Sequence, residues 1–238
     1  MIEIDITLWF TLGTIAMALG SGGLAYGFVT LSSDRHREYA DVVVVTLIAT
    51  VAYGLMALGI GEITTATGAA VFVPRYVDWL LTTPLHVVFI ALIAGAGRRL
   101  IAKAASLQAA TIVLGFLGAL FGTPLKELFF LAGSLAFVGV VYLLVVEAEN
   151  DAQDRDDVTA GLYRKLRNFV IVLWLVYPVI WLLAPTGYGF MDNETASLVI
   201  TYIDVVAKVG FGLMALNGLQ TLESFDVADR TGYASTDD

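Results

Sequence analysis

Seven long apolar stretches divide this chain of 238 residues, at 7–30, 40–61, 73–95, 101–122, 125–146, 165–184 and 196–220. A helix rises about 1.5 Å per residue, so roughly 20 residues cross a hydrocarbon core about 30 Å thick. Inside that core no water satisfies the peptide groups, so an apolar run of this length must close its own hydrogen bonds as a helix. The breaks carry turn and loop residues: SSDRHR at 32–37, GAGRR at 95–99, GTP at 122–124 and PTG at 185–187. The segment 147–167 (EAENDAQDRDDVTAGLYRKLR) is too charged to span and reads as a loop with a helix entry. The fold class that follows is all-α: a seven-transmembrane-helix bundle over residues 1–220. An acidic tail at 221–238 is expected to be disordered.

Composition agrees. Apolar residues make up 58% of the chain and charged ones 15%, against roughly 25% charged in soluble domains. Mean hydropathy is +0.81. Met1 to Ile6 carries acids rather than the basic start of a cleavable signal. With no cysteine and two histidines, disulfides and thiolate sites are excluded and no metal centre is expected. The net charge is −9, with the acids in loops and tail, and neither an enzyme nor a nucleic-acid partner is indicated. Of the 13 Lys and Arg, Arg75 and Lys208 lie within spans. Arg35, Arg37, Arg98, Arg99, Lys103, Arg155, Arg164, Lys165, Arg167 and Arg230 fall in the first, third and fifth loops, at the span ends that border them or in the tail, leaving Lys126 on the other side. The positive-inside rule therefore puts the N-terminus extracellular and the C-terminus cytoplasmic, in a multi-pass cell-membrane protein bathed in lipid.

An ionised side chain near the bilayer centre costs about 2.5–3.5 kcal/mol on insertion scales, so such groups mark functional sites. Arg75 and Asp78 are three apart on the third span, and Asp204 and Lys208 are four apart on the seventh, so each pair shares a helical face. Packed together, the four charges sum to zero. The plainest reading is a neutral clamp between helices, but the surroundings favour chemistry. Trp79 adjoins Asp78, and the sixth span carries Trp174, Tyr177 and Trp181 around Pro178. A proline within a helix frees a carbonyl and kinks the axis, which makes room for a ligand or a hinge. Aromatic walls beside a lysine suggest a long apolar ligand held covalently, through the Schiff base that an amine forms with an aldehyde. A protonated imine then needs a carboxylate counter-ion.

Three motifs carry a family resemblance: RYVDWLLTTPL at 75–85, WLVYPVIW at 174–181 and DVVAK at 204–208. Together they resemble the archaeal retinal proteins, or microbial rhodopsins, over about residues 7–220. The resemblance implies retinal bound covalently to Lys208 as a protonated Schiff base. Asp78 would be principal counter-ion and proton acceptor, Asp204 the second counter-ion, and Arg75 would lie on its extracellular side. It implies a retinal pocket of Trp79, Thr82, Thr83, His86, Gly115, Phe130, Gly133, Phe137, Trp174, Tyr177 and Trp181, with Tyr53 nearby. It further implies a bond between Thr83 and Gln108. Trimers or dimers occur in such a family.

Within that family a few positions separate pumps from sensors. A proton pump of the bacteriorhodopsin type has a carboxylate donor 11 residues past the acceptor, three turns along the same face; this chain has Phe89 there. Its proton-release glutamates are replaced by Thr186 and Ala196, with Glu194 close by. Phe130, Gly133 and Phe137 resemble the sensory rhodopsin II (phoborhodopsin) type, and Tyr202 matches a tyrosine presented there to a transducer. Ala207 agrees with the pumps instead, a mixture resembling the middle rhodopsins. The expected function is a light sensor that signals through a separate membrane transducer, with a weak or slow outward proton pump as the alternative. His86 is the most individual residue. It reads either as a neutral imidazole bonded to backbone or water, or as a group that tunes the colour or aids proton transfer.

Overall fold

Backbone groups surrounded by lipid have only the i−4 carbonyl to bond, and the apolar runs fold accordingly. The computed structural model describes residues 5–31 and 33–233. Its helices are α1 (Ile6–Thr30), α2 (Ser33–Ala57), α3 (Val73–Ala94) and α4 (Arg98–Leu120), followed by α5 (Leu125–Gln153), α6 (Asp157–Leu183) and α7. The last is built of Asn193–Val205, a π-helical turn at Val206–Gly210 and Phe211–Tyr233. Seven of them are long and apolar enough to cross a membrane. Each of α1 to α5 packs on the next, α7 packs on α1 and α6, and α3 also contacts α6. The core consequently lies along α3, which presents Val87, Phe89, Ile90 and Ile93 to Phe211, Ala215 and Leu219 of α7 and Leu162 and Leu166 of α6. Large apolar side chains such as Leu19, Val51, Leu135 and Val172 face outward, as a lipid solvent permits.

The connection from α2 to α3 departs from an all-helical reading. Strands β1 (Glu62–Thr64) and β2 (Ala70–Phe72) pair antiparallel, Ile63 opposite Val71. Gly68 takes the positive φ of 83° that their turn requires. This hairpin marks one end of the bundle, where α3 and α7 begin. At the other end α3 stops at Gly95, whose φ of 81° is left-handed. A Cβ there would come within 2.6 Å of Arg155 Nε, so this arginine lies against the helix's C-terminal end, where a cation is favourable.

The charged segment 147–167 is a correction to the sequence reading. Instead of a long loop, α5 runs on to Gln153 and α6 starts at Asp157. The charges are tolerated because they pair: Glu149 accepts from Arg164 Nε at 2.7 Å and from Arg167. Asp156 caps α6 by accepting from the Val158 and Thr159 amides. A π-helical turn at Leu143–Glu147 loosens the ladder in α5, and the Tyr163 hydroxyl donates to the Leu144 carbonyl within it. The last helix likewise continues past 220 to Tyr233. Extending an existing helix avoids the nucleation cost, and 221–231 holds neither Gly nor Pro to stop it. Residues 234–238 of the expected tail lie outside the described residues.

Candidate functional site

Asp78 is just over one turn into α3, and Asp204 and Lys208 lie about three and four turns into α7, so the three charges meet in the interior. Lys208 Nζ is 2.7 Å from Asp78 Oδ2 and 3.5 Å from Asp204 Oδ2. All three residues are at most 2% exposed. Two carboxylates around one ammonium leave a net negative charge, and further donors offset it. Asp204 accepts from the Tyr53 hydroxyl at 2.8 Å, from Trp79 Nε1 at 3.1 Å and from the Tyr177 hydroxyl. It is thereby tied to α2, α3 and α6 at once. Asp78 Oδ1 has no protein partner.

Arg75 stands apart from this cluster. It lies nearer the hairpin, donates to Ser197 Oγ at 3.3 Å and packs over the rings of Phe10 and Phe72 at 5.4 and 5.3 Å. Among the described residues no carboxylate lies within ion-pair distance of it. The neutral foursome expected from charge arithmetic is a contacting trio plus a buried cation.

A cavity runs beside Lys208 from Arg75 near the hairpin to His86 and Phe137. Of the expected pocket residues, Trp79, Thr83, His86, Gly115, Phe130, Gly133, Phe137, Trp174, Tyr177 and Trp181 line it. Thr82 does not; it is fully buried, and its hydroxyl turns back to the Asp78 carbonyl at 2.8 Å. The walls are aromatic pairs: Phe130 stacks on Trp181 at 5.0 Å, and Trp79 meets Tyr177 edge-on at 5.1 Å. Gln108 Nε2 donates to Thr83 Oγ1 at 2.9 Å, the α3–α4 bond expected there. Tyr76, Thr111, Ile112 and Ser134 also line the cavity and were missed from the sequence. Tyr76 and Ser134 are each adjacent to a residue that was singled out. Ser197 falls seven before Asp204, on the same face of α7, a spacing that would have flagged it.

Two breaks in regular helix border the cavity. Pro178 has no N–H for the Trp174 carbonyl, and α6 is interrupted at Leu175. Lys208 itself sits inside the π-helical turn of α7, a rare local geometry that concentrates at functional sites. Tyr202, on the same helix, is 69% exposed on the outer surface of the bundle.

A family model described as bacteriorhodopsin-like protein matches residues 5–222. The chain belongs to the bacteriorhodopsin-like family. It is 51% identical over 220 residues to sensory rhodopsin-2 of Haloarcula vallismortis, covering 92% of this chain and 93% of that one. It is 38% identical over 221 residues to sensory rhodopsin-2 of Natronomonas pharaonis, covering 93% and 92%. A thermophilic rhodopsin from Rubrobacter xylanophilus has the same fold, with a TM-score of 0.88 at 31% identity over 92% of this chain and 97% of that one. Rhodopsin architecture and membership of the cell membrane, both read from the three motifs and the seven spans, are borne out.

Proposed function

We propose that this protein is a light-sensing retinal photoreceptor of the sensory rhodopsin type. The observation that carries the reading is Lys208, a buried amine between two carboxylates at the wall of an aromatic cavity, in a chain half identical to a sensory rhodopsin-2. The cavity fits a polyene aldehyde on three counts. Its walls are apolar and aromatic with polar groups gathered at Lys208; a Cβ on Gly115 would meet nothing within 4 Å; and Asp78 Oδ1 is free to face a cationic nitrogen. Retinal, held covalently at Lys208 Nζ as a protonated Schiff base, supplies light absorption and photoisomerisation.

The chain's own residues do the rest. Lys208 Nζ, in the place of the imine nitrogen, holds its proton 2.7 Å from Asp78 Oδ2, so Asp78 is the acceptor. Moving the proton across that bond neutralises both groups and removes the ionic clamp between α3 and α7. Asp204 stays fixed by its three aromatic donors. The break at Leu175 gives α6 a place to bend when the clamp is lost. Phe89, 1% exposed and packed on Phe211 at 5.7 Å, gives no carboxylate from which Nζ is quickly restored. The deprotonated state is then long-lived, which suits a signal that a membrane transducer reads, with Tyr202 on its docking face. The basic loops orient this transducer-facing chain with its N-terminus outside.

Two measurements test the reading. Adding retinal to the wild-type chain should generate a visible pigment, and Lys208→Ala should give none; colour in the variant overturns the attachment site. Cells holding the chain alone should show no sustained light-driven acidification of the medium, and finding it would establish the pump instead.

A further inference from the structure

α3 carries a buried titratable side chain to which the photochemistry above gives no task. His86 is 2% exposed, lies eight residues past Asp78 on nearly the same face, and lines the cavity with Lys208. Trp174 and Phe211 meet its ring edge-on at 6.3 and 4.5 Å, so packing fixes the imidazole in place. Neither Nδ1 nor Nε2 has a protein partner in hydrogen-bonding geometry, although the Thr82 carbonyl one turn back faces the ring. A neutral imidazole owns one donor and one acceptor. Buried polar groups in native proteins find partners, and where the protein offers none an ordered water does so. The two nitrogens are therefore where ordered water would bond beside Lys208, in the half of the cavity remote from the hairpin.

The charged groups facing His86 are Lys208 and Asp204 of α7, with Asp78 two turns back on its own helix. Around it α6 presents Trp174, α7 presents Phe211, and Phe137 of α5 lines the same cavity; none of these titrates. Beyond it, toward the end of the bundle opposite the hairpin, Val87, Phe89 and Ile90 close against Phe211, Ala215 and Leu219 in an apolar layer.

We infer that His86, with the water its nitrogens hold, relays the proton that returns to Lys208 Nζ. The inference rests on the photoreceptor reading. Once Nζ has passed its proton to the Asp78 carboxylate, a ring N–H of His86 delivers one to Nζ through the water. The opposite ring nitrogen takes a proton from solvent that crosses the apolar layer. The imidazole ends as its other tautomer with no change in charge, and the net transfer is one proton from solvent to Nζ. Exchange through the same water resets the tautomer. The apolar layer makes the solvent leg slow, and His86 makes it passable.

The experiment compares wild type, H86L and H86N. In the retinal-free chain, nitrogen-15 NMR of His86 should show both ring nitrogens hydrogen-bonded and in exchange with deuterated water; nitrogens sealed from water would overturn the proposal. In the pigment, flash spectroscopy should show the proton returning to Nζ roughly a hundredfold more slowly in H86L, the lower end of what a lost general acid costs. Time-resolved infrared with nitrogen-15 histidine should show an imidazole band changing in step with that return. Added imidazole or azide should restore the rate. An unchanged return in H86L, or a slowing that neither carrier relieves, sinks the relay. If H86L forms no pigment, H86N replaces it, since an amide bonds water without exchanging tautomers. Wild-type chain that forms no pigment at all would instead overturn the photoreceptor reading, so the two failures are distinguishable.

Discussion

Asp204 accepts hydrogen bonds from side chains on three helices, whereas Asp78 accepts one, from Lys208. The two carboxylates of one cluster thus divide into one held by donors from three helices and one with an oxygen left unpartnered, the division that the proposed roles of fixed anion and proton acceptor require. Tyr53→Phe removes a hydroxyl bonded to a charged group, a loss of about 1.5–3 kcal/mol, to be read as a lower midpoint of thermal unfolding. Gly13 reaches the same bond by packing. A Cβ there would come within 2.5 Å of the Tyr53 ring and 2.8 Å of Thr201 Cγ2. Gly13→Val is therefore expected to push Tyr53 off Asp204 and to destabilise by about 1–3 kcal/mol through overpacking. A red or blue displacement of the pigment's absorption should accompany it; an unshifted spectrum would show that Tyr53 had not moved. At this scale the sequence was informative about charge and silent about aim. The spacing of Asp204 and Lys208 showed a shared face, and the family resemblance, not the spacing, made Asp78 the principal counter-ion; neither told that Arg75 would turn to Phe10 and Phe72.

Helix ends and interruptions decide the middle scale. Asp156 accepts from two amides at the start of α6, and the hydrogen bonds from Thr159, side chain and backbone, hold its carboxyl below the usual aspartate range. A carboxyl depressed in the folded state contributes stability above its ordinary value, and the contribution disappears as pH falls through the lowered one. Asp156→Ala should cost about 0.5–2 kcal/mol at neutral pH, and the difference from wild type should vanish in strong acid; a difference constant with pH would refute the cap. The α5–α6 junction was misread because charge density alone signals a loop. What defeats that signal is pairing between helices, Glu149 with Arg164 and Arg167, which no count along one strand of sequence reveals. The break in α6 was legible because Pro178 announces it. The π-helical turns in α5 and α7 were not, for they carry no diagnostic residue.

The whole molecule was the easiest scale to read. Seven runs of apolar residues specify seven spans almost by length alone, since lipid leaves the backbone no other structure. The β1–β2 hairpin escaped because three-residue strands lie below what alternation can signal. Orientation remains a prediction: an epitope joined to the N-terminus should be reached by antibody on intact cells, and one at the C-terminus only after lysis. The reverse pattern would defeat the charge rule here. One consequence of the wide turn at Val206–Gly210 concerns how the last helix keeps count. A π turn holds one residue more than the α turn it replaces, so positions after Gly210 run one step out of phase with those before Val206. Deleting a single residue there would restore even counting and swing everything downstream by roughly 100°. Phe211, Ala215, Leu219 and Leu222, none more than 5% exposed, would rotate out into lipid. Such a deletion should abolish pigment where substitutions at the same positions, Lys208 apart, are tolerated. Lys208 is thus seated on an odd residue in the helix's arithmetic, and the inner stripe of α7 depends on that residue being there.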